Sequence, residues 1–217
     1  MKIKACLFDL DGVVVDTARY HYIAWKKIAN DLGIDFSERD NERMKGVSRM
    51  ESLDILLSLG NIKMDQVAKE ELATAKNSLY LTYIQTMTPV EILPGVTRFL
   101  DELRNGGILI ALGSASKNAL SILEKIKIAQ MFDAVIDGNK VSRAKPDSEV
   151  FLKGASELGV EPKNCLVFED AQAGIDAACN GGMHIIGIGH RENLKNAEYV
   201  IPGFEKMDLD LLRTWYQ

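Results

Sequence analysis

Phe8-Asp9-Leu10-Asp11-Gly12 closes the first apolar run of the chain, Ile3 to Leu10. That run is too short for a helix and reads as a buried strand. Side chains alternate along a strand, so Asp9 and Asp11 are expected on one side of it. Two such carboxylates repel each other unless a cation or a shared proton relieves them. Gly12 allows a tight turn, and Asp16-Thr17 offers an N-cap for a helix beyond it. Taken alone, the stretch reads equally well as a strand end carrying two solvated acids.

Outward from there the period changes. Tyr22, Trp25, Ile28, Ala29 and Leu32 recur at helical spacing, with Gly33 placed as the stop. Ser48-Arg49-Met50-Glu51 fits a capping box, and Met50, Leu53 and Leu57 line the helix it opens, which Gly60 ends. Ala68, Leu72, Ala75, Leu79 and Tyr83 predict a third, longer helix. From Pro94 onward helix and strand patterns alternate. Apolar strands are expected at Ile108–Leu112, Ala134–Ile136, Cys165–Phe168, Ile185-Ile186 and Tyr199–Ile201. Helices are expected around Val96–Leu103, from Lys117, from Asp147, from Ala171 to Asn180, and around Leu209–Trp215. Strands without alternation, separated by helices, imply a parallel sheet covered on both faces. The expected fold is α/β, a Rossmann-like doubly wound parallel sheet core (residues 1–16 plus 89–217) with a small α-helical cap domain (17–88) inserted after the first strand. The two crossings, near 12–17 and 86–94, would form a hinge pair.

The 217 residues are 47% hydrophobic and 26% charged, which is ordinary for a soluble globular chain of this length. A net charge of −5 argues against a nucleic-acid or anionic-membrane surface. No apolar stretch approaches the ~20 residues of a membrane span. Ala5 to Phe8 is too short for a signal-peptide core and runs straight into Asp9. Cys6, Cys165 and Cys179 are odd in number and lack metal spacing, so they read as small buried hydrophobes of a reducing cytosol. A cytoplasmic monomer acting on a small molecule is expected.

Ligands of an open parallel sheet sit beyond the carboxyl ends of its strands. Asp9 and Asp11, the segment Ser114 to Asn118, Lys145, and Glu169-Asp170 all map to that edge. Carboxylates from separate strands suit Mg²⁺, a hard cation with oxygen ligands. Ser116 with the amides of Lys117 and Asn118 opens a predicted helix, which favours an anion, and Lys117 in a first turn points the same way. Lys145 precedes Pro146, so an extended backbone would leave its amine free to reach inward. Arg49 just inside a capped helix opposes the dipole, and a bound phosphate explains it better than a solvated charge.

In order, Phe8-Asp9-Leu10-Asp11-Gly12, Ser114, Lys145-Pro146 and Glu169-Asp170-Ala171-Gln172-Ala173-Gly174 resemble the four motifs of the haloacid dehalogenase superfamily of phosphotransferases. The resemblance implies that Asp9 attacks phosphorus and becomes an aspartyl phosphate, while Asp11 is general acid and base. It implies Mg²⁺ held by Asp9, the backbone carbonyl of Asp11, Glu169 and Asp170, with Ser114 and Lys145 holding the transferring phosphoryl group. Lys45-Gly46-Val47-Ser48-Arg49 with Ser114-Ala115-Ser116-Lys117-Asn118 is similar to the sugar phosphomutases of that superfamily. By that likeness Arg49, Ser116, Lys117 and Asn118 hold the phosphate that is not transferred, and Lys45, Gly46 and Val47 lie against the substrate sugar. Thr17 and His21 match positions that line the hinge and place Asp11. His21 reads equally as a core histidine, and Trp25 as packing. The alternative is a sugar-phosphate phosphatase, which differs only in what attacks the phosphoenzyme.

Other classes fit less well. Gly187-Ile188-Gly189 lacks the third glycine of a dinucleotide fingerprint, and there is no P-loop. A dehalogenase or a pure binding module has no use for both Asp9 and Asp11. A phosphonate hydrolase would need Lys45 as a Schiff-base amine, and nothing in the sequence depresses its pKa.

Overall fold

The computed structural model describes residues 3–216. Six strands, β1 (Ala5–Phe8), β2 (Leu109–Gly113), β3 (Ala134–Ile136), β4 (Cys165–Glu169), β5 (His184–Ile188) and β6 (Tyr199–Ile201), form one sheet in the order β3-β2-β1-β4-β5-β6. Every pairing is parallel. The chain winds from β1 toward β3 and then returns to build β4 to β6 on the other side. The strand order therefore reverses between β1 and β4, where a doubly wound sheet opens a crevice. Phe8 lies opposite both Leu112 and Phe168, so Asp9, Ser114 and Glu169 emerge on one edge.

β1 is shorter than the apolar run Ile3 to Leu10. The Asp9 N–H still donates to the Phe168 carbonyl at 3.0 Å, and Asp11 then forms an isolated bridge with Val15. Asp9 and Asp11 are thus brought together by a tight turn beyond the strand end rather than by strand pleating.

The sheet separates two apolar layers. Cys6 and Phe8 enter one with Phe99 of α5 (Val96–Asn105), Ile122 of α6 (Ala119–Lys125) and Leu212 of α9 (Leu209–Trp215). Ala5 and Leu7 enter the other with Phe151 of α7 (Glu149–Glu157) and Ile175 of α8 (Gln172–Asn180). Phe8 stacks on Phe168 with centroids 4.7 Å apart and meets the edges or faces of Phe99, Phe132 and Phe204.

Between β1 and α5 lie α1 (Ala18–Asp31), α2 (Glu38–Glu42), α3 (Arg49–Leu59) and α4 (Gln66–Ile84), with no strand among them. Trp25, Phe36, Leu53 and Leu56 give these helices a core of their own, while Ala24, Tyr80 and Ile84 join the layer beneath β1. The two crossings are bonded to each other. Val15 bridges Ile92, and the Leu93 N–H donates to the Val14 carbonyl at 3.0 Å. Arg19 and Tyr20 of α1 both donate to the Glu91 carboxylate across the same junction.

Several local expectations are corrected. The short helix α2 has no counterpart among the helices expected from periodicity, although Ser37 and Asp40 form both arms of a capping box. Thr17 is the N-cap of α1 but makes no side-chain cap bond, because its hydroxyl is engaged elsewhere. The buried face of α4 is Ala73, Lys76, Tyr80 and Ile84, rotated from the expected stripe, whose Ala75 is exposed. α6 starts at Ala119 with Asn118 as N-cap, so Lys117 precedes the helix instead of opposing its dipole. α7 starts at Glu149 rather than Asp147. Cys6 and Cys165 are buried free thiols, whereas Cys179 is exposed on α8.

Phe8 has no exposed surface and supports both β1 and β4. Phe8→Ala is expected to lower unfolding free energy by about 3–5 kcal/mol, read from urea denaturation. A loss below about 1 kcal/mol would mean that the aromatic cluster does not carry the sheet.

Candidate active site

Close backbone approach assembles the acids at the crevice. Gly12 has φ +79°, and a Cβ there would lie 2.2 Å from the Asp170 Oδ2. Only glycine satisfies both the turn and the space. A Cβ at Gly174 would lie 2.0 Å from the Glu169 carboxyl carbon, so the first turn of α8 presses directly on that carboxylate. Oxygens of Asp9, Glu169 and Asp170 all lie within 4.8 Å of one another. The Lys145 ammonium is fully buried and donates to Asp9 Oδ1 at 2.6 Å and Glu169 Oε2 at 2.8 Å.

Two lysines, the buried Lys145 and the half-buried Lys45 at 3.5 Å from Asp170, face three carboxylates and leave net negative charge in a dry place. Burial, reinforced by Asp9, pushes the Asp170 carboxyl up to about 7. Burial alone would lower Lys145, but Asp9 and Glu169 outweigh it and hold the amine charged. An all-oxygen donor set with unmet negative charge fits a hard divalent cation. The acids expected to bind metal are therefore together. The Asp11 carboxylate is not part of that side-chain cluster, and the resemblance assigns it only a backbone carbonyl.

Asp11 instead has its own set of partners. The Thr17 hydroxyl donates to Asp11 Oδ1, and His21 Nε2 stands 4.0 Å from the same oxygen. His21 Nδ1 is 2.8 Å from the Lys76 Nζ. When Lys76 is an ammonium it can only donate, so in that state Nδ1 accepts and the ring proton lies on Nε2, facing Asp11. That nitrogen is buried and has no hydrogen-bond partner among the described residues. Burial, then the nearby Asp9 and Asp170, pushes Asp11 up to about 8. Burial, then Lys76 and Arg49, drives His21 well below its ordinary value, so its ring is neutral. Burial, then Arg49, brings Lys76 down to about 7.

Lys76 is the site residue that sequence reasoning misses. A lysine in an apolar periodicity is counted as solvent-facing, yet it holds the phase Ala73, Lys76, Tyr80, Ile84. Its amine sits 4.8 Å from the centroids of both Trp25 and Tyr80. Trp25 is therefore more than packing, because it faces a buried cation.

These groups line a cavity of about 620 Å³, together with Lys45, Gly46, Val47, Arg49, Ser116, Lys117 and Asn118. Gly46 has φ +74°, and a Cβ there would approach Ala171 Cβ to 2.9 Å, so this loop of the helical unit lies directly on the core. Lys45 pairs with Glu42 at 3.0 Å and Asp170 at 3.5 Å. Although burial opposes it, Asp170 and Glu42 raise the Lys45 pKa, which removes the Schiff-base reading. Arg49 is the first residue of α3, whose Ser48 hydroxyl accepts from the Glu51 N–H at 3.2 Å. The half-buried guanidinium has no carboxylate partner among the described residues, and burial lowers its pKa.

Ser114 is buried, and its hydroxyl accepts from the Ser116 N–H at 3.0 Å. The Ser116 hydroxyl in turn accepts from the Asn118 N–H at 3.2 Å. The expectation that the Asn118 amide N–H is free for an anion is thus corrected. An anion at this loop would be met by the side chains of Ser116, Lys117 and Asn118.

A raised Asp170 pKa means that a cation must displace a proton at or below about pH 7. Divalent-cation affinity should therefore rise between pH 6 and pH 8, by up to roughly tenfold per unit for one displaced proton. Calorimetry in buffers of different ionisation enthalpy reads both affinity and proton release. Equal affinity at both pH values with no proton released would contradict the charge balance described.

Residues 3–182 match the haloacid dehalogenase-like hydrolase family. A β-phosphoglucomutase of Bacillus subtilis (strain 168) is 41% identical over 218 residues, covering 99% of this chain and 96% of that protein. The crystal structure of β-phosphoglucomutase from Clostridium difficile agrees with a TM-score of 0.95 at 42% identity, covering 99% of this chain and 97% of that one. A phosphorylated carbohydrates phosphatase of Thermotoga maritima is 29% identical, covering 88% of each chain. The family match runs from β1 to the end of α8 and takes in every acid of the crevice. The chain belongs to the haloacid dehalogenase-like hydrolase family.

Proposed function

We propose that the chain is a Mg²⁺-dependent phosphomutase that interconverts β-glucose 1-phosphate and glucose 6-phosphate. The observation that carries this reading is the 41% identity to a β-phosphoglucomutase across 99% of the chain. Arg49, without a carboxylate partner among the described residues and in the same cavity as the acids, supports it, because a mutase must hold a second phosphate away from the reacting one.

In this reading Asp9, first phosphorylated by glucose 1,6-bisphosphate, passes its phosphoryl group to the 6-hydroxyl of glucose 1-phosphate. An Asp9 oxygen then attacks the 1-phosphorus of the resulting glucose 1,6-bisphosphate, which re-forms the aspartyl phosphate and releases glucose 6-phosphate. Asp11 takes the proton from the attacking hydroxyl and returns one to the leaving oxygen. A carboxyl near neutrality suits both directions. Thr17, His21 and Lys76 hold Asp11 in place. Lys145 and Ser114 face the charge that develops on the transferring group. Mg²⁺, held by Asp9, Glu169, Asp170 and the Asp11 carbonyl, supplies electrostatic shielding between Asp9 and the phosphate when bound. Arg49, Ser116, Lys117 and Asn118 hold the distal phosphate, and Lys45, Gly46 and Val47 meet the sugar. Helices α1 to α4 act as a cap that opens about the two bonded crossings. Three free thiols and a phosphorylated sugar substrate favour a cytoplasmic setting.

Incubation with β-glucose 1-phosphate, Mg²⁺ and a trace of glucose 1,6-bisphosphate should yield glucose 6-phosphate. Free phosphate alone would move the phosphatase reading ahead. Arg49→Ala should cut glucose 6-phosphate formation by roughly 10²-fold, as for a lost charged hydrogen bond worth about 3 kcal/mol. Hydrolysis of a small aryl phosphate, which has no distal phosphate, should fall far less. Equal losses would remove Arg49 from the distal site.

A further inference from the structure

Away from the hinge and from Asp11, two polar side-chain contacts join the helical unit to the core among the described residues. One is the Lys45–Asp170 ion pair. The other is a hydrogen bond at 3.0 Å from Asn118 Nδ2, on the loop after β2, to Asn77 Oδ1 on α4. Both asparagines are half-buried and line the cavity. No motif singles out Asn77, and a lone asparagine within a helix ordinarily faces solvent or bonds back to its own backbone.

The groups on either side of this bond give it a consequence. The loop that carries Asn118 is fixed from behind by the exit of β3. Gly138 N–H donates to the Ser116 carbonyl at 3.1 Å, and Asn139 Nδ2 donates to the Lys117 carbonyl at 2.9 Å. Asp137 holds Asn139 in turn through its backbone and side-chain nitrogens. Asn77 therefore meets a braced partner. On α4 the preceding residue is Lys76, which reaches His21 and, through it, Asp11. One turn of a rigid helix thus touches the loop proposed for the distal phosphate and the group that orders the proton-transfer acid.

We infer that Asn77 is a positioning residue that docks α4 on the Ser114–Asn118 loop, so that Lys76 and His21 stand at Asp11 only when the cap is seated on that loop. The inference rests on the mutase reading. Asn118 has a second amide hydrogen and an oxygen left for a ligand while it holds Asn77. A phosphate on Ser116, Lys117 and Asn118 would thereby stiffen the partner that Asn77 docks on. Sugar phosphate binding then favours the arrangement that passes phosphoryl to a sugar hydroxyl, and an undocked α4 leaves the aspartyl phosphate to water.

The test is a double-mutant cycle of Asn77→Leu and Asn118→Leu, with glucose 6-phosphate and free phosphate both measured from β-glucose 1-phosphate. Asn77→Leu should lower glucose 6-phosphate formation roughly tenfold, the scale of one lost hydrogen bond. It should also raise the ratio of free phosphate to isomer. The double variant should lie within about twofold of the worse single variant, because both remove the same contact. Losses that multiply, or a product ratio that does not move, would overturn the role of Asn77. Asn77→Ala gives the same readings if the leucine disturbs α4. Should the wild type release only free phosphate, the mutase reading fails first, and the wild type alone reveals that.

Discussion

Asp9, Asp11, Glu169 and Asp170 converge at the point where the strand order reverses, and one buried ammonium, Lys145, faces that charge directly. Burying like charges costs far more than any single packing contact in the domain returns, unless a cation or a proton intervenes. Everything around the crevice serves this concentration. Gly12 and Gly174 lack the side chains that would hold Asp170 and Glu169 apart. The aromatic stack of Phe8 on Phe168 clamps the two strands whose ends carry the acids. Lys145, itself buried over the Phe151 ring, ties Asp9 to Glu169.

The acids differ in their company, and that divides their work. Asp9 shares Lys145 with Glu169, in the buried cluster of acids at the sheet edge. Asp11 faces a hydroxyl, a neutral imidazole and, beyond it, a lysine whose charge is marginal at neutral pH. A carboxyl in such surroundings exchanges protons near neutrality. Its partners come from the start of α1 and from α4, so on the mutase reading the groups around the proton-transfer acid sit on the helical unit, while Asp9, Glu169 and Asp170 sit at the sheet edge. Motion of one unit against the other would regulate Asp11 without disturbing Asp9.

The parallel sheet, the helical insertion and the four motif positions are legible because continuous apolar strands end on acids, serines and glycines. The fold's finer features are not. Strand pairing stops at Phe8, since Leu10 belongs to a turn that the apolar run disguises. Lys76 escapes because hydropathy assigns lysine outward, while Trp25, Tyr80 and His21 shelter it inside. Thr17 reads as a cap, yet its hydroxyl goes to Asp11, a partner six residues back that only the Gly12 turn brings near. The amides of Lys117 and Asn118 read as part of an anion site, but the Ser116 hydroxyl already takes that of Asn118. Lys76 and Thr17 are polar groups satisfied by contacts made only in the folded chain, which local pattern does not encode.

On the mutase reading, Asp9 alone carries the phosphoryl group between sugar positions. Protein mixed with glucose 1,6-bisphosphate and quenched in acid should yield a phosphorylated peptide spanning Asp9, labile to hydroxylamine as an acyl phosphate is. The label should disappear in Asp9→Asn. Turnover with the label on Ser114 or another residue, or with label unchanged in Asp9→Asn, would contradict the account.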